Sequence, residues 1–129
     1  MFNLLSTISE QKAKNLSPVT LAFVGDAVYS LYVRERLVLS TDFGTGELQK
    51  LTSASVSAHG QSELLAKIEP LFTEDESDIF RRGRNAKKPT RSKNASVAEY
   101  NRSTGFEAVL GYLYLTGQYQ RISYLLEVK

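Results

Sequence analysis

The sequence has 129 residues, 42% hydrophobic and 23% charged, the size and composition of one globular domain (1–129), which excludes a disordered chain or a fibrous repeat. It has no cysteine and a single histidine, His59. Disulfides, thiolate metal clusters and cysteine nucleophiles are therefore excluded, and a zinc site or a serine–histidine mechanism would have to pass through one residue.

The N-terminal run Met1-Phe2-Asn3-Leu4-Leu5 lacks the basic start and longer apolar stretch of a secretory signal. No segment approaches the roughly 20 apolar residues of a membrane span, so a cytoplasmic protein without membrane association is expected. Apolar spacing is helical nearly throughout, with no period-two run bounded by turn residues, and the fold class is read as all-α. Ser17-Pro18 opens the first predicted helix, with Ser as N-cap and Pro at the first helical position. It runs through Leu21, Val24, Val28, Leu31 and Tyr32 beyond Glu35, and is predicted to be long and mostly buried.

Ser40 to Gly46 breaks that helix, and Gly44-Thr45-Gly46 reads as a turn because no strand precedes it and the later glycine of a nucleotide fingerprint is missing. A second helical stretch passes through Leu48, Leu51 and Val56, continues or restarts near His59-Gly60 toward Leu64, Leu65 and Ile68, and stops at Pro70. Thr73 and Glu76 make a capping box for a short helix ending at Gly83, a C′ candidate. Its acids Glu74, Asp75, Glu76 and Asp78 read as a solvated end that complements the helix dipole, without the alternation of a calcium loop. Arg84 to Ala95, with Pro89 and no apolar periodicity, reads as a basic loop. Ser96 and Glu99 cap a helix through Tyr100, Phe106, Val109, Leu110 and Leu113 to a stop at Gly117, and a last amphipathic helix carries Ile122, Leu125 and Leu126. His59, a lone histidine in a helical run, is assigned no role.

Two features bear on chemistry. Residues 81–102 hold eight basic side chains against one acid, Glu99, while the rest of the chain is net acidic, although the whole sums to only +2. Such a segment suits a polyanion, whose phosphates it neutralises, or is simply a solvated loop or a targeting tag. Asp26, in Leu21-Ala22-Phe23-Val24-Gly25-Asp26-Ala27-Val28, and Glu107, in Phe106-Glu107-Ala108-Val109-Leu110-Gly111, are acids flanked by apolar residues within helices. Both are expected to be withdrawn from water, and a carboxylate so placed needs an ion pair, a hydrogen bond or a metal. If Gly25 and Gly111 let the two helices approach, the pair is able to hold one Mg²⁺, which prefers carboxylate oxygens and retains several waters.

The segment Leu21 to Val28 resembles the signature helix of the ribonuclease III catalytic domain, and Phe106 to Leu115 resembles its second acidic helix. Arg81-Arg82-Gly83-Arg84-Asn85-Ala86-Lys87 is similar to the matching segment of the Mini-III ribonucleases, which lack a separate double-stranded-RNA-binding domain. The resemblance spans about Leu16 to Leu126 and implies a helical endonuclease-domain bundle that acts as a homodimer. It implies an endoribonuclease that cleaves double-stranded RNA by a water activated on a divalent metal, Mg²⁺ with Mn²⁺ as a substitute, and Asp26 and Glu107 as the catalytic metal ligands. Three acids of the larger family pattern are replaced here, by Ala22, Thr45 and Thr104, a reduced pattern that the Mini-III enzymes share.

Arg82, Arg84, Asn85, Lys87, Lys88, Arg91 and Lys93 are the candidate RNA-binding residues, since a basic segment grips the phosphates and 2′-hydroxyls of A-form duplex without reading much sequence. Phe23, Val24, Tyr29 and the tyrosines at 112, 114, 119 and 124 are either dimer surface or core residues with a polar tip. The resemblance further implies maturation of ribosomal RNA precursors at large-subunit (23S) ends, aided by a large-subunit ribosomal protein. Two rivals stay open. One is a noncatalytic helical RNA-binding module. The other is a helical adaptor in which both acids are structural ion pairs to Arg34, Arg36 or Arg102.

Overall fold

A computed structural model describes residues 6–88 and 96–129. Among them the chain forms seven α-helices and no strand: α1 Glu10–Lys14, α2 Pro18–Ser40, α3 Thr45–Val56, α4 Ala58–Ile68, α5 Glu74–Asn85, α6 Val97–Leu115 and α7 Tyr119–Leu126, with a 3₁₀ turn over Glu69–Leu71. Helix α1, five residues capped by Ser9 with Glu10 in its first turn, is not among the helices expected from the sequence.

The cap residues act as the sequence predicts at most ends. Ser17 caps α2 with Pro18 at its first position, and the Thr73/Glu76 and Ser96/Glu99 capping boxes are both formed. Ser57 interrupts the second helical stretch, closing α3 and capping α4 through the Gly60 amide. Gly117 has φ 78°; its amide donates to Tyr114 O and that of Gln118 to Leu113 O, the paired bonds that end a helix when the C′ residue is left-handed. Gly44 is the N-cap of α3, so Thr45 and Gly46 open a helix rather than forming a turn.

Helix α6 is the axis of the fold. Ten of its 19 residues are buried, in two runs from Ser103 to Phe106 and from Ala108 to Leu113 that only Glu107 separates, which is the pattern of a helix covered on several sides. α2 crosses one side of it and α5 another, α4 and α7 complete the surround, and one apolar cluster joins Leu21, Val28, Leu65, Ile79, Phe80, Phe106, Leu110 and Leu125. Tyr29 meets Phe106 edge to face at 5.2 Å. Tyr29 and Tyr112 are core residues, and burial raises the pKa of each phenol; Tyr124 alone of the singled-out tyrosines is well exposed.

Three expectations need correction. Helix α2 is not mostly buried: its inward stripe is Leu21, Ala22, Gly25, Val28, Tyr29 and Val33, and the turns after it face out. Glu76 is not part of a solvated end. It is 2% exposed and takes two hydrogen bonds from Arg121, at 2.9 and 2.8 Å, while the same guanidinium reaches Leu71 O. Gly83 does not end α5, which continues to Asn85. A Cβ at Gly83 would lie 2.8 Å from the Cα of Gly105, so this glycine marks where α5 and α6 touch, and Arg84 and Asn85 are helical rather than part of the loop.

Candidate functional site

The crossing of α2 and α6 is set by two glycines. A Cβ at Gly25 would sit 1.7 Å from the carbonyl oxygen of Glu107, and one at Gly111 would sit 1.9 Å from that of Leu21. The two backbones are in contact there, which no other residue type permits. Asp26, the neighbour of Gly25, is thereby carried to the cleft that Glu107 lines.

The two acids differ in environment. Glu107 is partly buried, whereas Asp26 is exposed, which corrects the expectation that both are withdrawn from water. Asp26 lies outside the inward stripe of α2, exposed like its neighbours Phe23 and Ala27, while Leu21, Ala22, Gly25 and Val28 face inward. Burial pushes the Glu107 carboxyl up to about 8, with repulsion from Asp26 adding to the rise and a hydrogen bond from the Gln61 amide opposing it. Like charges this close disfavour joint ionisation unless a proton or a cation stands between them.

No ion pair among the described residues involves either acid. The arginines that the adaptor reading would use are engaged elsewhere: Arg36 with Glu127, Arg102 with Glu69 at 2.7 Å, and Arg34 with the Ser30 hydroxyl at 3.2 Å. Two carboxylates from facing helices without an ion-pair partner among the described residues are a donor set suited to a hard divalent ion. Among the described residues no group of three or more acids or histidines assembles, so water or substrate oxygens would complete its shell.

The cleft that holds this pair is also lined by Ala22, Phe23, Gln61, Lys88 and Thr104. Ala22 and Thr104 are thus at the site, where the larger family pattern has acids; Thr45 does not line it. Gln61 brings an amide and Lys88 an ammonium, beside the hydroxyls of Ser57, Tyr100 and Ser103. Gln61 is 1% exposed, and its Nε2 donates to Glu107 Oε2 at 3.2 Å and to Val56 O at 2.9 Å. Sequence reasoning missed Gln61, although a signal was present: with Leu65 and Ile68 it occupies an i, i+4, i+7 inward row of α4, where an amide is out of place unless it has something to hold.

The candidate RNA-binding residues are not all brought together. Lys88 lines the cleft, and its Nζ donates to the carbonyls of Arg84 and Ala86 at 3.0 and 2.7 Å, closing the end of α5; burial lowers the pKa of its ammonium. Arg84 lies over the Phe80 ring at 5.8 Å and donates through Nε to Asn85 Oδ1 at 3.2 Å. Arg82 reaches Leu16 O at 3.5 Å, and Lys87 is exposed. Arg91 and Lys93 lie outside the described residues, as does Pro89. His59 stands 2.7 Å from Glu99, whose carboxyl its hydrogen bond holds below the usual range, and does not line the cleft.

Residues 19–118 match the ribonuclease III domain. The chain is 45% identical to the Mini-ribonuclease 3 of Thermoanaerobacter sp. (strain X514), with 94% of this chain and 85% of that protein covered. The chain belongs to the ribonuclease III family, in its Mini-ribonuclease 3 branch. The Mini-ribonuclease 3 of Symbiobacterium thermophilum is 46% identical over 87% of this chain and 86% of that protein. A crystal structure of a protein from Fusobacterium nucleatum superposes with a TM-score of 0.80 at 29% identity, covering 92% and 93% of the two chains. As a Mini-ribonuclease 3 family member the chain is an endoribonuclease with an all-α fold, which removes the noncatalytic module as a rival. None of the described helices is long and apolar enough to cross a membrane.

Proposed function

We propose that this Mini-ribonuclease 3 family member cleaves double-stranded RNA with Mg²⁺, or Mn²⁺ in its place, held by Asp26 and Glu107. The reading rests on one observation: two carboxylates from facing helices line one cleft, where the charge of Asp26 helps to raise the Glu107 carboxyl, with no basic side chain paired to either among the described residues. Such a pair costs stability without a cation and gains from one.

When bound, a divalent cation supplies an activated water and stabilises the charge that develops on the phosphate and the departing 3′-oxygen. The protein's part is positioning. Gly25 and Gly111 fix the distance between the ligand-bearing helices, and Lys88 at the cleft offers a cation to an incoming phosphate. Arg82, Arg84, Asn85 and Lys87, with Arg91 and Lys93 from outside the described residues, extend that contact along the duplex. Phe23 is 81% exposed on the helix that carries Asp26, and we read it as the contact by which a second copy docks, so that two centres face one duplex. Large-subunit (23S) ribosomal RNA precursors as substrate, help from a large-subunit ribosomal protein and a cytoplasmic location extend this reading through the family resemblance.

The test is cleavage of one end-labelled RNA offered as duplex and as single strand, with Mg²⁺ and with EDTA. Cleavage confined to the duplex and to Mg²⁺ is expected. Equal cleavage of the single strand, or undiminished cleavage in EDTA, would overturn the reading.

A further inference from the structure

Gln61 is the most deeply buried polar side chain at the cleft, at 1% exposure. Its amide orientation is fixed by chemistry. The carbonyl oxygen of Val56, 2.9 Å away, only accepts hydrogen bonds, so the atom facing it must be the nitrogen. The second N–H of that nitrogen goes to Glu107 Oε2 at 3.2 Å. The amide oxygen, Oε1, is buried and has no hydrogen-bond partner among the described residues. A buried amide oxygen left without a donor carries an uncompensated desolvation cost, and such an atom beside a functional carboxylate calls for a ligand that donates.

We propose that Gln61 is a positioning residue of the metal site: its Nε2 fixes Glu107 for ligation, and its Oε1 accepts a hydrogen bond from the hydrated divalent cation. The inference rests on the proposed metal role of Asp26 and Glu107. It explains why an amide stands on the inward row of α4, where Leu65 and Ile68 are apolar. It also explains how a site with Ala22 and Thr104 in place of acids orders a hydrated ion: a neutral acceptor orients a bound water without adding a third negative charge to the pair. Val56 O, at the last residue of α3, anchors the amide, so the junction between α3 and α4 sets the position of a residue on α6.

The test is Mn²⁺ binding by the full chain in the absence of RNA, read from the loss of the free-ion paramagnetic resonance signal, in wild type, Gln61→Leu and Gln61→Met. Both variants conserve volume and remove the donor and the acceptor together. The expected result is a Mn²⁺ Kd raised roughly 10- to 100-fold, with helical circular dichroism and duplex-RNA binding unchanged and kcat reduced more than KM is raised. Wild-type Mn²⁺ affinity in the folded variants would overturn the proposal and make Gln61 a packing residue. Failure of the underlying metal reading looks different, since the wild-type chain itself would then take up no Mn²⁺. Should both variants unfold, the ¹⁵N side-chain amide resonance of Gln61 in wild type decides: a saturable shift with Mg²⁺, absent in Asp26→Asn, supports the proposal, and no shift overturns it.

Discussion

Glu107 takes a proton at neutral pH because burial on α6 and repulsion from Asp26 both penalise its charged form, and the Gln61 amide offsets only part of that. Its pKa in the folded chain, about 8, stands above the 4.5 of an unperturbed glutamate, so the contribution of this group to stability is fully present below 4.5 and is lost as pH rises through 8. Glu107→Gln keeps the shape and removes the charge. In EDTA the variant is expected to match wild type near pH 4 and to become the more stable protein by roughly 1–3 kcal/mol at pH 9, the cost of a buried group without full compensation. Urea denaturation across that pH range checks it, and a wild type as stable as the variant at pH 9 would contradict it. The acids and their surroundings were legible in the sequence to different degrees. Glu107 was correctly placed among apolar neighbours that do bury it, but Asp26 was not, because flanking residues along a helix point to other faces.

At the scale of elements, the site is a helix crossing. Gly25 and Gly111 lie against the backbones of α6 and α2, respectively, and a methyl group at Gly25 has nowhere to go, since the nearest atom is backbone. Gly25→Ala is expected to cost about 3 kcal/mol, the upper end for overpacking, and to force Asp26 and Glu107 apart. Gly46→Ala is the control, because nothing lies within 4 Å of a Cβ there and the exchange in a helix gains about 0.5 kcal/mol. Chemical denaturation of both variants decides between a packed crossing and a merely flexible glycine; similar midpoints would contradict the crossing. Caps were the most legible part of these elements, since Ser17, Thr73 and Ser96 act through local bonds that need no tertiary partner. Gly83 shows the opposite case. Its residue type fits a helix end, yet its reason is the close approach of Gly105, 22 positions away in the sequence, and nothing local distinguishes the two. The same holds for Glu76, whose partner Arg121 comes from α7.

The whole molecule divides its charge by region: residues 81–102 are basic in an otherwise acidic sequence, and Lys88 from that segment lines the cleft that holds the two acids. In the proposed function the acids would take a metal ion and the basic segment the phosphates, so the two signs would serve one substrate. Phe23 stands on the same cleft, too exposed for a core residue of its size, and its covering by a second copy would bury one apolar ring on each side of a two-fold contact. Phe23→Asp is therefore expected to sediment as a monomer where wild type sediments as a dimer, with helical content unchanged. A monomeric wild type, or a variant that remains dimeric, would contradict this assembly. The helical class and the order of the motifs were readable without tertiary information, whereas the amide of Gln61 was not read at all, because its meaning comes from Glu107, 46 residues later and across the helix packing.

Asp26 and Glu107 are proposed to act together on one cation. Cleavage of a labelled RNA duplex in Mg²⁺ by wild type, Asp26→Asn and Glu107→Gln, at matched concentrations of folded protein, tests it most directly. Each near-isosteric variant is expected to retain duplex binding and to lose cleavage by at least about a thousandfold, a loss of about 4 kcal/mol in transition-state stabilisation. A folded, RNA-binding variant at either position that still cleaves within about tenfold of wild type, a difference of only 1.4 kcal/mol, would contradict it.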